Sequence, residues 1–441
     1  MSHHANVADR GTHRDQVLPV RCMSCGAVHN GDRPITKCPD CSGLLDAVVD
    51  TDGRLRPEDF HRTPGTPAAT SGVWRFAPLL PAIPQEAIVS RWEGNTPLYG
   101  DSRLADYAGM SQGEIRVKHE GHNPTGSFKD RGMTVAVSHA RAIGSALVAC
   151  ASTGNTSASL ASYAAAAGLP SMVLIPEGKI SAGKLAQTIA FGALVVQVEG
   201  DFDVALRLLR ELTADGSVYL ANSVNPFRPE GQKTIVLEML DQLEWQVPDV
   251  IALPGGNLGN TAAFGKALTE AHETGLIDRL PRIATIQAAG SAPFAAYYAS
   301  GFDHYEPIQA ETIATAIKIG DPASLERARR TIEQTSGWVV AVSDEEIMDA
   351  KAFIDGIGIG CEPASAASLA GVRKLVGQGE IAQDASVVCV LTGNVLKDTD
   401  AIATYHLQDS DTGPNPRANR PVSIPATMEA VKRVVDDAIH G

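Results

Sequence analysis

From Ser90 to Thr404, short apolar runs alternate with stretches that are amphipathic or rich in alanine. The runs 146–150, 171–175, 193–198, 250–253, 283–286 and 387–391 are mostly apolar from end to end. A strand buried on both faces has this continuous pattern, whereas a strand with one wet face alternates. Segment 156–168 is alanine- and serine-rich and ends at Gly168-Leu169-Pro170. That is a helix followed by its C-terminal glycine and a proline that cannot continue it. Strands separated by helices predict an α/β protein with two parallel or mixed sheets covered by helices.

The pattern changes outside that span. Residues 1–17 are polar and read as a disordered N-terminus. Residues 18–50 gather four cysteines into a compact unit, a zinc-ribbon-like knuckle. Residues 51–89 carry Pro57, Pro64, Pro67, Pro78, Pro81 and Pro84 with little periodicity, which predicts an extended connector packed along the main body. Residues 90–123 together with 223–404 are expected to form a large domain, and 124–222 a small one. Residues 405–441 form a tail whose helix should begin near Pro425. No short-period repeat is present.

Length and charge narrow the function classes. A chain of 441 residues is long for one core. Its net charge of −14 argues against nucleic acid and anionic membrane as partners, since both favour basic surfaces. Anionic small molecules stay open, because helix N-termini bind them inside acidic proteins. No apolar run reaches the roughly 18 residues of a membrane span. The start lacks a basic segment followed by an apolar one, so a cytoplasmic protein is expected.

Cys22-x2-Cys25 and Cys38-x2-Cys41 are two pairs at a spacing that can give a four-thiolate structural zinc site. A knuckle without metal and a nucleic-acid-binding ribbon are the other readings. The second has weak support, since Arg21, Arg33 and Lys37 face Asp32, Asp40, Asp46 and Asp50. Cys150, Cys361 and Cys389 read as small buried apolar residues.

Four segments carry candidate chemistry. Lys129 lies in His122-Asn123-Pro124-Thr125-Gly126-Ser127-Phe128-Lys129-Asp130-Arg131-Gly132, an amine between turn formers and a helix start. Alone, such a lysine reads as a solvated surface group. Freed of its proton, it can form a Schiff base with pyridoxal phosphate (PLP). Ser152-Thr153-Gly154-Asn155-Thr156 follows a strand and opens the alanine-rich helix, as an anion site or as simple capping. Gly255-Gly256-Asn257-Leu258-Gly259-Asn260-Thr261 again joins strand to helix. It has neither the GxGxxG spacing nor the Gly-Lys-Ser/Thr of a P-loop, so neither a dinucleotide nor ATP is favoured. Thr392-Gly393-Asn394 ends the last core strand, where a hydroxyl suits a neutral bond to a ring nitrogen.

The ordered set resembles the threonine synthases, PLP enzymes of fold type II in the tryptophan synthase β-like group. Asn123–Gly132 is similar to their lysine motif. Glu93-Gly94-Asn95-Thr96-Pro97-Leu98, Ser152–Thr156, Asn222-Ser223-Val224-Asn225-Pro226, Glu230-Gly231-Gln232-Lys233-Thr234, the Gly255–Asn260 loop, Glu362-Pro363-Ala364-Ser365-Ala366-Ala367-Ser368 and Thr392-Gly393 follow in the family's order. The match runs from about Cys22 to Asp398.

The resemblance implies that Lys129, beside Phe128, holds PLP as a Schiff base. Asn155 would contact the ring oxygen, and Gly255, Gly256, Asn257, Leu258, Gly259 and Asn260, with Thr261, the cofactor phosphate. Thr392 would face the ring nitrogen. It implies O-phospho-L-homoserine as substrate, with Arg228, Asn222, Ser223, Ser152, Thr153 and Thr156 around the leaving phosphate. A homodimer and threonine biosynthesis are implied as well. One departure is visible: where these enzymes commonly read Thr-Gly-His-Gly-Leu-Lys-Asp, this chain reads Thr392-Gly393-Asn394-Val395-Leu396-Lys397-Asp398. The alternative is therefore a related PLP enzyme doing β/γ-replacement or elimination on another (phospho)amino acid, cysteate synthase included.

Overall fold

Continuous apolar strands need cover on both faces, and the computed structural model shows how this chain supplies it. The structure describes residues 18–51, 53–178, 182–200, 202–410 and 413–440. The expected disordered N-terminus, residues 1–17, lies outside them. Two units separate, Met1–Asp398 and Thr399–Gly441.

The described residues of the first unit form three sheets. The N-terminal one is antiparallel, ordered β2-β1-β3, with β1 Pro19–Cys22, β2 Val28–Asn30 and β3 Leu45–Ala47. The largest has six strands: β4 Leu98–Gly100, β5 Glu114–His119, β10 Val250–Pro254, β11 Arg282–Ala288, β12 Trp338–Val342 and β13 Ser386–Leu391. Their order is β12-β11-β10-β13-β5-β4, and every pair is parallel except β4 with β5. The third is all parallel, β8-β7-β6-β9, built from β6 Val148–Ala151, β7 Ser171–Pro176, β8 Leu194–Val198 and β9 Tyr219–Leu220.

Side chains that alternate along a strand feed opposite cores. Val250 and Ala252 join the core that includes residues of helices Asp344–Gly356 and Pro363–Gly377. Ile251 and Leu253 join the one that includes residues of helices Thr234–Gln242 and Gly259–Glu273. In the four-stranded sheet, Val148 and Cys150 pack with helices Lys129–Ala142 and Asn155–Ala167, and Ala149 and Ala151 with helix Phe202–Leu212.

The expected strands and the alanine-rich helix form, with ends displaced by one or two residues. Gly168 closes that helix at φ 66. In the six- and four-stranded sheets, four strands were not expected: β4, β5, β9 and β12. β5 reads Glu-Ile-Arg-Val-Lys-His, and its Lys118 and His119 are buried only because distant groups pair with them. The connector is a series of short 3-10 turns rather than extended chain, and it drives Phe60, Trp74, Phe76 and Leu79 into the cores.

The second unit holds helix Thr399–Leu407, a two-residue strand pair and helix Met428–His440, which starts slightly later than expected. Among the described residues no helix is long and apolar enough to cross a membrane.

Candidate active site

Lys129 opens its helix from a loop sewn to the end of β13. Phe128 N donates to Thr392 O at 3.0 Å, Asn394 N donates to Gly126 O at 2.9 Å, and Ser127 bridges Gly393. The amine lies 4.1 Å from the centre of the Phe128 ring. Burial lowers its pKa to about 7; the Arg228 guanidinium adds to that shift and Glu362 opposes it. An amine so tuned is largely deprotonated just above neutrality.

The residues after Lys129 anchor the helix. Asp130 accepts from Thr125 N at 2.7 Å, Thr125 Oγ1 at 2.6 Å and Ser159 Oγ at 2.6 Å. Burial outweighs these bonds and lifts its carboxyl to about 6. Arg131 is fully buried and donates to Glu120 at 2.7 and 2.8 Å and to Glu238 at 2.8 Å. Glu238 also accepts from Lys118 at 2.7 Å. Despite its burial, the two cations hold Glu238 well below the usual carboxylate range. Two cations thus meet two carboxylates beneath the lysine loop.

Across from this network, Glu362 gathers two predicted ring contacts. Asn155 Nδ2 donates to its carboxylate at 3.0 and 3.3 Å, and Thr392 Oγ1 lies 3.3 Å away. Thr392 Oγ1 is 3.0 Å from Ser365 Oγ, which accepts from Gly393 N at 3.0 Å. A Cβ on Gly393 would sit 2.4 Å from the Glu362 carboxyl carbon, so only glycine lets the strand end pass. Burial raises the Glu362 pKa. Glu362 was not among the expected site residues. It stood in the sequence only as the first residue of the Glu362–Ser368 segment, because its partners Asn155 and Thr392 lie far away along the chain.

The glycine loop runs from β10 into helix Gly259–Glu273. A Cβ on Gly255 would fall 2.6 Å from Thr285 Cγ2, and one on Gly256 3.1 Å from Ile317 Cα. Leu258 takes φ 61 to turn the loop into the helix. The first-turn N–H groups of a helix have no intrahelical acceptors and face an anion well. Asn260 Oδ1 is buried and has no hydrogen-bond partner among the described residues. Thr261 Oγ1 is turned instead to Thr285 Oγ1 at 3.0 Å, and Asn257 Oδ1 accepts from Ala323 N at 3.3 Å, so both brace the loop.

Arg228 begins helix Arg228–Gln232, which crosses the Lys129 helix so tightly that a Cβ on Gly231 would meet Arg131 O at 1.7 Å. It is buried and donates to Ala221 O at 3.3 Å, and its Nε has no partner among the described residues. Among the described residues no carboxylate pairs with it. Burial lowers its pKa to about 10. Such a cation has unmet demand for an anion. Ser152, Thr153, Thr156 and Ser223 are half-buried. The Asn222 amide is engaged with Ala151 N and Ala151 O, both at 2.9 Å, and so holds the end of β6.

These features fit PLP. Lys129 can meet an aldehyde, the loop at Gly255–Asn260 a phosphate, and the Thr392 hydroxyl a ring nitrogen without charge. Asn394 Oδ1 accepts from Leu396 N at 3.0 Å, and its Nδ2 lies 3.4 Å from Gly121 O. Its side chain therefore braces its own turn and also reaches the segment that leads into the lysine loop.

The four cysteine sulfurs of the N-terminal unit lie within 4.8 Å of one another.

Residues 89–393 match the family model described as pyridoxal-phosphate dependent enzyme. The chain is 43% identical over 427 residues to the threonine synthase of Methanocaldococcus jannaschii, covering 95% of this chain and 99% of the relative. It is 46% identical over 385 residues to the threonine synthase of Methanosarcina acetivorans, covering 87% and 93%. In fold it is similar to the processed form of threonine deaminase isoform 2 from Solanum lycopersicum, with TM-score 0.60 and 20% identity over 71% of this chain and 86% of that one.

Proposed function

The chain belongs to the pyridoxal-phosphate-dependent enzymes, and on that premise we propose that it acts as a threonine synthase, converting O-phospho-L-homoserine and water to L-threonine and phosphate. The observation that carries this reading is a lysine held near pKa 7 beside a buried arginine that pairs with no carboxylate among the described residues. The close relatives named above carry the same activity in their names.

Held by Lys129, the Gly255–Asn260 loop, Asn155 and Thr392, PLP supplies an electron-withdrawing ring that acidifies the carbons near the substrate's amine. Lys129 Nζ takes the proton from the α-carbon and then one from the β-carbon, and returns protons later. A group with pKa near 7 can both accept and give protons at neutral pH. Arg228 grips the phosphate that departs from the γ-carbon, as a permanently charged fork suits such a group. The half-buried hydroxyls of Ser152, Thr153, Thr156 and Ser223 complete that end. Glu362 orients Asn155 and Thr392. At the Asn394-Val395 departure the Asn394 side chain braces its own turn and reaches Gly121 O, and the named relatives favour threonine synthesis over the alternative replacement chemistry.

The reading carries with it two lobes around the lysine, 124–222 against 90–123 with 223–404, in keeping with the separate four- and six-stranded sheets. It also carries a homodimer, an expectation from family resemblance, and a cytoplasmic setting, an expectation from the sequence.

Purified protein should be yellow, and borohydride should fix the cofactor to Lys129. Lys129→Ala should remove the adduct and cut turnover by about 10²–10⁴-fold or more. O-phosphohomoserine should yield phosphate and threonine in equal amounts. Phosphate without threonine would replace this reading with elimination, and neither product would remove the substrate.

A further inference from the structure

The residues on either side of Arg228 are held by the N-terminal cysteine unit. We propose that Cys22, Cys25, Cys38 and Cys41 bind one Zn²⁺ and that this metal sets the position of Arg228. The second half rests on the phosphate-binding reading of Arg228 above; the first does not.

The sulfurs are arranged for a metal. Cys22 Sγ and Cys41 Sγ are 3.4 Å apart, and Cys25 Sγ and Cys38 Sγ 3.7 Å. Four sulfurs about 2.3 Å from one zinc in tetrahedral array lie about 3.8 Å apart, whereas a disulfide needs about 2.05 Å. Two loops present them in the same way. Cys22 N donates to Ala27 O and Gly26 N to Cys22 O, just as Cys38 N donates to Gly43 O and Ser42 N to Cys38 O. Both loops turn through positive φ, 77° at Gly26 and 62° at Ser42. Ser24 N reaches Cys22 Sγ at 3.4 Å, and His29 Nε2 lies 3.3 Å from Cys38 Sγ, so donors are in place for thiolate charge. Strands of three or four residues bury too little to hold this shape alone.

Two connections lead from this unit to Arg228. Phe227 shares the unit's core with Val20, Cys22, Cys38 and Leu45. Its ring stacks on His139 at 3.5 Å, and His139 Nε2 reaches Gly31 O at 2.7 Å. On the other side, Lys266 donates to Ala47 O of β3 at 2.6 Å and ion-pairs with Glu230. Phe227 and Glu230 bracket Arg228, so loosening the knuckle loosens the arginine.

The test uses full-length, PLP-saturated enzyme. Elemental analysis should find one zinc per chain, lost in Cys41→Ser; no metal, or iron instead, overturns the site. Stripping zinc with a chelator should raise KM for O-phosphohomoserine and weaken inhibition by inorganic phosphate by about tenfold each, with kcat within about twofold, and zinc should restore both. Lys266→Met should keep its zinc and, with Glu230 still paired to Lys233, stay folded at the assay temperature while reproducing the KM shift, which covers the case in which stripped protein unfolds. Unchanged KM and phosphate inhibition in Lys266→Met overturn the coupling. Failure of the catalytic reading looks different: zinc-loaded wild type would not turn over O-phosphohomoserine at all.

Discussion

Arg131 and Arg228 sit on two helices that touch, and both are buried. Arg131 meets Glu120, Glu238 and Thr96 at hydrogen-bond distance. Arg228 has one carbonyl and an idle Nε. A desolvated guanidinium is costly, so the protein must match it with charge or leave the match to a ligand. The first arrangement is scaffold and the second is a binding site, although the two side chains are chemically identical and nearly adjacent in space.

Three experiments bear on that contrast. The largest effect belongs to Arg131→Met, which strands Glu120 and part of Glu238 without their cation. It should cost about 3–5 kcal/mol in denaturant unfolding. A loss under 1 kcal/mol would mean that the network is not scaffold. Arg228→Met should leave stability within about 1 kcal/mol while raising KM for O-phosphohomoserine about 10²-fold. Arg228→Lys should restore it poorly, since an ammonium lacks the planar fork. If the methionine variant unfolds instead, the two arginines are of one kind.

The smallest effect is on protonation. The unprotonated amine of Lys129 attacks the aldehyde, so apoprotein should take up PLP about tenfold faster per pH unit below 7 and at a constant rate above it. Arg228→Met should move that midpoint upward, but not to an ordinary lysine's value, because burial is the larger cause. An unmoved midpoint would separate Arg228 from the lysine's electrostatics.

The apolar runs and the loops around Lys129, Asn155, Gly255 and Thr392 were readable because each is local: period, glycine placement and strand-to-helix position lie within a few residues. The distinction between the two arginines was not. The partners of Arg131 come from Glu120 and Glu238, on separate elements, and the deficit at Arg228 is a property of everything packed around it. β5 escaped for the same reason, since Lys118 becomes a strand residue only with Glu238 opposite. Asn222 looked free for substrate and is bound to backbone. Glu362 was one residue of a matching segment and lies between Asn155 and Thr392.

The six-stranded sheet has a further consequence through its order. β13, the last of its strands to be synthesised, sits between β5 and β10 and ends in the loop that clasps Lys129. A chain on the ribosome that has not yet reached Ser386 has an open slot in the middle of its sheet and two unpaired strand edges beside it. The catalytic lysine, made early, therefore waits for nearly the whole polypeptide before its seat exists. Chains stalled before Ser386 should be digested by protease at the lysine loop, and chains stalled well beyond Asp398 should resist.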